Sequence, residues 1–157
     1  MTPPRLLYLV QHGEAKPEQE GPARPLSERG RREVERVARA AAHAGLPVAR
    51  VAHSGKLRAR DTAEILAAVL HPRDGVTELA GLAPMDDPVI ARHAVAELTE
   101  PTMLVGHLPH LSRLVSLLVV GDPARDIVAF RMGGIACLGR DEGGWCLKWI
   151  LTPELVP

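Results

Sequence analysis

Leu6-Leu7-Tyr8-Leu9-Val10-Gln11-His12-Gly13 is the stretch on which the fold turns. Its apolar run shows no alternation, as a strand buried on both faces requires, and His12-Gly13 ends the run with a polar side chain and a turn residue. Such a strand belongs inside a largely parallel sheet covered by helices.

Downstream, a loop over 14–24 rich in Pro, Gly and charge leads to Ser27, which caps a helix carrying Val34, Val37, Ala38 and Ala41 on one face. Gly45 and Pro47 end that helix. Residues 48–53 read as a second strand, broken by Ser54-Gly55, and Ala63, Leu66, Ala67 and Leu70 mark the stripe of a second helix that His71-Pro72 stops. A third strand is expected over 76–79, and Asp86-Asp87-Pro88 starts a helix through Leu98, because Asp caps and Pro fits a first turn. Residues 102–106 repeat the short apolar strand and pass through His107 into a helix with Leu111, Leu114, Val115 and Leu118 on one face. Beyond Gly121 the pattern predicts strands over 127–130, 135–138 and 145–151, with a hairpin turn at 141–144.

Strands alternating with helices and then a hairpin predict a three-layer α/β/α sandwich, its mainly parallel sheet finished by antiparallel edge strands at the C-terminus. The 157 residues suit a single domain over 1–157. Hydrophobic residues at 46% with only 3% aromatics predict a core of Leu, Val, Ile and Ala. Nineteen basic residues balance nineteen acidic ones, so the overall field favours neither nucleic acid nor an anionic membrane, and any anion site must be local. Met1 to Pro4 lack a basic leader region and the apolar run that follows is too short to span a bilayer, so a cytoplasmic protein is expected. Cys137 and Cys146, in strand-like sequence, are expected to be small packed side chains and not a disulfide.

Ligands of such sheets bind beyond the carboxyl ends of the strands. Gln11-His12-Gly13, His53-Ser54 and Gly106-His107 all fall on that edge, and Arg58 lies near the start of a helix, whose free N–H groups already favour an anion. Two histidines and an arginine around a helix N-terminus suit a phosphoryl group: the guanidinium fork holds two oxygens while a neutral imidazole attacks phosphorus and the second histidine offsets developing charge. A zinc reading, with His107-Leu108-Pro109-His110 and His12 converging on a metal, has no Cys or Asp cluster behind it, and Pro109 suits a helix start better than a ligand pair.

Four segments carry a family resemblance. They are Leu9-Val10-Gln11-His12-Gly13-Glu14-Ala15, Arg24-Pro25-Leu26-Ser27-Glu28-Arg29-Gly30, Ser54-Gly55-Lys56-Leu57-Arg58-Ala59-Arg60-Asp61-Thr62-Ala63 and Val105-Gly106-His107. In that order they resemble the histidine phosphatase superfamily, in particular its short SixA-type phosphohistidine phosphatases. The resemblance implies that His12 is the nucleophile, that Arg58 and His107 bind the phosphoryl group, and that Arg24 sits over the phosphate or its peptide context. It also implies a phosphohistidine intermediate formed without metal or cofactor, and a phosphorylated protein or small phosphate ester as partner. Glu14 is a candidate to orient Arg58 or His107, Ser54 to shape the turn at the phosphate, and Glu78, at a strand end, to act as general acid.

Two residues depart from the pattern. Gln11 stands where the family has Arg, and Gly55 where many relatives have Pro. Gln keeps two N–H donors but loses the charge and the rigid fork, so the expectation is a slowed phosphatase, with Lys16, Lys56 or Arg131 as nearby bases that partly replace the missing charge. The rival reading is a phosphate- or phosphoprotein-binding module without turnover. Gln11→Arg is therefore expected to raise turnover on a phosphate ester, by up to about a hundredfold. Steady-state kinetics on the two proteins checks this, and an unchanged rate would mean that another group already fills the role.

Overall fold

The computed structural model describes residues 5–157, so the opening Met1 to Pro4 lie outside the described residues. A six-stranded sheet is built from β1 (Arg5–Gln11), β2 (Arg50–His53), β3 (Val76–Glu78), β4 (Thr102–Gly106), β5 (Ile135–Asp141) and β6 (Gly144–Leu151). Its order is β3-β2-β4-β1-β5-β6. The three pairings among β1 to β4 are parallel, whereas β5 runs antiparallel to β1 and β6 antiparallel to β5. The helices are α1 (Glu28–His43), α2 (Leu57–Leu70), α3 (Pro88–Ala96) and α4 (His110–Val120).

Chain direction explains the layering. Crossovers between parallel strands are right-handed, so α1 and α2, which carry the chain outward from β1 to β3, share one face. The return to β4 puts α3, and with it α4, on the other. Because β1 and β4 are buried on both sides, their side chains alternate between two cores. Tyr8, Val10, Met103 and Val105 pack with Val34, Val37, Ala63 and Leu66 beneath α1 and α2. Leu7, Leu9 and Leu104 pack with Ala91, Leu111 and Leu114 beneath α3 and α4. The unbroken apolar run at the start of the chain is the imprint of those two cores, and the three-layer α/β/α expectation holds.

The expected strand over 127–130 does not form: this segment makes no ladder pairing. Val128 and Phe130 are buried in the core under α4 while Ala129 is exposed, so the two-residue period is real. It reports an extended loop pressed onto the core, since both flanks of β1 are already taken by β4 and β5. The hairpin is found where expected, with Asp141 accepting from the Gly143 N–H at 2.8 Å. Both cysteines are free, Cys137 buried and Cys146 half-buried.

The start of α1 fixes the segment after β1. Ser27 Oγ accepts from Gly30 N at 3.0 Å as the N-cap and is 2.8 Å from Glu14 Oε1, to which it donates. Gly30 lies directly against the Glu14 backbone, and a Cβ there would fall on the Glu14 carbonyl oxygen. Backbone cannot yield as a flexible side chain does, so Gly30→Ala is expected to cost about 1–3 kcal/mol. Urea unfolding checks this, and histidine ring NMR should report a shifted His12, two residues from the displaced carbonyl.

Candidate active site

The β1–β4 register brings the first two candidates together. Gln11 is level with Gly106, and the His12 N–H donates to the Gly106 carbonyl at 3.0 Å, so His12 and His107 leave adjacent strands side by side. Their ring centroids are 5.0 Å apart. His12 Nδ1 is 2.7 Å from the Gly13 carbonyl oxygen. A carbonyl only accepts, so the ring proton sits on Nδ1 and the Nε2 lone pair is free.

Arg58 is the second residue of α2, and its guanidinium acts on both histidines. Its own pKa is lowered by burial and by Arg24, and its Nε is buried with no hydrogen-bond partner among the described residues. Arg24 reaches the same place from the loop before α1: its charge bears on His12, and its Nε donates to the Lys16 carbonyl at 3.2 Å. Its φ of +53° is left-handed, a conformation that costs a side-chain-bearing residue about 1–2 kcal/mol.

Burial, followed for His107 by the charges of His12, Arg58 and Lys56, keeps these imidazoles neutral. The His107 pKa is pushed down to about 3, and that of His12 is lowered despite its bond to Gly13. His107 is 1% exposed, its Nε2 is 2.6 Å from Ser54 Oγ, and its Nδ1 has no partner among the described residues. The Gln11 side-chain Oε1 is likewise buried and unpartnered. Cations, neutral imidazoles and the unpartnered Arg58 Nε–H at one strand edge make a locally basic site that an oxyanion can complete.

The other candidates lie differently. Glu14 is taken up by Ser27 at the α1 cap. Glu78 sits at the end of β3, its carboxylate against Gly55 and its charge on His53 rather than on His12 or His107. Among the nominated bases, Arg131 is 3.4 Å from Glu154, whereas Lys56 acts on His107. For the zinc reading, His110 is fully buried and the described residues hold no cluster of three or more metal-ligating side chains. A groove of about 240 Å³ lined by Arg92, His93, Leu117, Arg140 and Trp145 lies at the opposite end of the sheet, where Arg140 pairs with Arg5, away from His12 and His107.

Two residues of the site were not singled out from sequence. Thr62, fully buried, accepts the Gly13 N–H at 3.0 Å and donates to the Arg58 carbonyl at 2.8 Å, tying the His12 loop to the turn of helix that bears Arg58. Asp61 accepts from Leu26 N at 3.2 Å and pairs with Arg31 at 3.6 Å, anchoring the segment after Arg24. The legible signal was the spacing of Thr62 four residues after Arg58, which puts both on one helix face.

A family model for the histidine phosphatase superfamily (branch 1) matches residues 7–86, just over half of the chain. The chain belongs to the histidine phosphatase superfamily. Members of this superfamily are phosphatases. Among solved structures, the protein histidine phosphatase SixA complexed with tungstate is 25% identical with a TM-score of 0.85, the match covering 96% of this chain and 98% of that one. A protein from Agrobacterium tumefaciens assigned to the phosphohistidine phosphatase SixA type is 23% identical with a TM-score of 0.79, over 96% of this chain and 99% of that one. A mycobacterial glucosyl-3-phosphoglycerate phosphatase complexed with VO3 shares the fold at 18% identity and a TM-score of 0.74, over 92% and 98%. No curated protein matches the chain. This histidine phosphatase relative also has a described structure free of helices long and apolar enough to cross a membrane.

The neutral imidazoles make stability pH-dependent. His12, His53, His107 and His110 all have pKa values lowered, foremost by burial. The unfolded chain therefore binds protons that the folded one does not, starting near the ordinary histidine value of about 6.5. Stability is expected to be full above that pH and to fall as pH drops below it, for His107 until about 3, each group adding at most about 1.4 kcal/mol per pH unit. Urea midpoints at pH 8, 6 and 5 check this, with His110→Gln expected to show a shallower slope.

Proposed function

We propose that this chain is a phosphatase that hydrolyses a phosphorylated histidine of a protein through a phosphohistidine intermediate on His12. The observation that carries the reading is the His12 ring itself: its Nδ1 is held by the Gly13 carbonyl, its Nε2 is free, and the charges of Arg58 and Arg24 converge on it beside His107. A basic pocket with one exposed lone pair suits in-line attack on phosphorus.

In the first step the Nε2 lone pair forms the bond to phosphorus while the bond to the substrate nitrogen breaks. The substrate reacts as its phosphoimidazolium form, with a proton on the other ring nitrogen, so that the imidazole leaves as a neutral ring. Water then attacks the same phosphorus and the P–Nε2 bond breaks. His12 also leaves neutral, since Nδ1–H stays on the Gly13 carbonyl, and the protons of water remain with phosphate and solvent. Arg58, Arg24 and His107 hold the phosphoryl oxygens through both steps, and Gln11 supplies a neutral donor where its relatives have a charged one. No metal or cofactor enters this scheme, and neither departure needs a general acid, which is in keeping with a Glu78 carboxylate turned toward Gly55.

The likeness to a SixA structure holding tungstate, a tetrahedral oxyanion, supports the same pocket for phosphate here. Small phosphate esters are the slower alternative substrates, because an alkoxide leaves less readily without a proton donor. Gln11 is the one feature that favours a binding module instead. A phosphohistidine peptide and a chromogenic ester separate the readings. Phosphate release from the peptide should fall at least about a hundredfold in His12→Ala, and a denaturing alkaline quench should trap on His12 a phosphate that acid then releases. Phosphate affinity without His12-dependent release would instead establish the binding module.

A further inference from the structure

Two residues at the end of β2 have no part in the chemistry above and yet adjoin it. His53, the last residue of β2, is 6% exposed and level with Glu78 on β3 and Val105 on β4. Its Nδ1 accepts the Gly55 N–H at 3.0 Å, which leaves the ring proton on Nε2. Gly55 has φ +94°, and a Cβ there would lie 2.5 Å from Glu78 Oε1. Proline, with φ near −65° and no N–H, cannot adopt this turn.

We infer that His53 is a positioning residue for the phosphoryl site: its Nδ1 is the acceptor that latches the Ser54–Gly55 turn and, through Ser54, orients His107 and the start of α2. Ser54 lies between the two histidines in this arrangement. Its Oγ accepts from Lys56 N at 3.3 Å and is 2.6 Å from His107 Nε2. A turn closed by proline needs no acceptor for the residue after the serine. Here glycine restores the N–H and the freedom to move, and His53 supplies the acceptor that takes the freedom away. Gly55 and His53 are thus one device, with the Glu78 carboxylate filling the space that a side chain at 55 would need.

The latch holds only while Nδ1 is unprotonated. The charged groups that face His53 are Glu78 from β3 and Arg60 and Glu64 from α2. A proton on Nδ1 removes the acceptor and draws the ring toward Glu78, releasing the Gly55 N–H. Burial opposes that proton at neutral pH, so the latch is closed there and opens on acidification.

The catalytic consequence rests on the phosphatase reading, whereas the effect on anion affinity does not, so the test measures both. Sulfate, which does not titrate between pH 5 and 8, is the probe in isothermal titration calorimetry. At pH 8, His53→Gln should bind it roughly fivefold more weakly, the size of one lost hydrogen bond, because the longer amide reaches the place of Nε2. His53→Asn, whose Oδ1 can occupy the place of Nδ1, should stay within about twofold of the natural protein, less than that same bond is worth. Lowering the pH to 5 should weaken the natural protein relative to His53→Asn. Unchanged affinity in His53→Gln, equal losses in both variants, or a ratio constant with pH would overturn the latch. Nitrogen-15 spectra of the natural protein test it without any variant: Nδ1 of His53 should be unprotonated at pH 8, and a proton there would refute it. Phosphate release from the phosphohistidine peptide, run alongside, separates the two failures: an inactive natural protein defeats the phosphatase reading and leaves the sulfate comparison to decide on His53.

Discussion

The hydrogen bond from the His12 amide to the Gly106 carbonyl is the contact on which the rest of the site depends. It extends the parallel β1–β4 ladder one residue past the end of β1 and so fixes the spacing of two imidazoles that are 95 residues apart in sequence, 12 against 107. A slip of one residue would turn one ring into a core, because successive side chains face opposite sides. The two cores forbid that slip: Tyr8 and Val10 belong to one and Leu7 and Leu9 to the other. Hydrophobic burial far from the histidines thus sets their separation.

On that frame the electrostatics follow. A chain with no net charge gathers Arg24, Arg58 and Lys56 about two imidazoles that burial and those cations keep neutral. Neutral rings matter twice, since only an unprotonated nitrogen has a lone pair to give, and a protonated one would add repulsion to an already crowded set of cations. The site is held by polar ties between loops: Thr62 joins the Gly13 amide to the Arg58 carbonyl, and Asp61 holds the Leu26 amide.

Much of this was legible from residues alone, for identifiable reasons. The apolar runs at 6–10 and 102–106 are the direct record of strands enclosed on both sides, so the layer order and the location of His12 and His107 followed from them. Arg58 was legible because helix starts attract anions. What was not legible depends on contacts between distant segments. The alternation at 127–130 looks like a strand, and only the occupancy of both flanks of β1 shows that it pairs with nothing. Glu14 looks free to orient a catalytic group until Ser27 is found beside it. Glu78 lies at a strand end, as His12 lies just past one, but β3 is at the edge of the sheet, with β2 between it and β4, and this puts its carboxylate at Gly55. Thr62 has no sequence signature beyond its spacing from Arg58, because its partner is a backbone amide on another segment.

The contact of Gly30 with the Glu14 backbone sets one side of the pocket apart from the other. Through it, and through Thr62, the floor that carries His12 is welded to two long helices and yields only if both shift together. The far wall is built otherwise: residues 17–20, 22 and 23 are exposed, and the excursion is closed at its base by the Lys16 amide on the Pro25 carbonyl. Exposure is therefore concentrated in this excursion, with Arg24 at its return, while the His12 ring sits on the side tied to the helices.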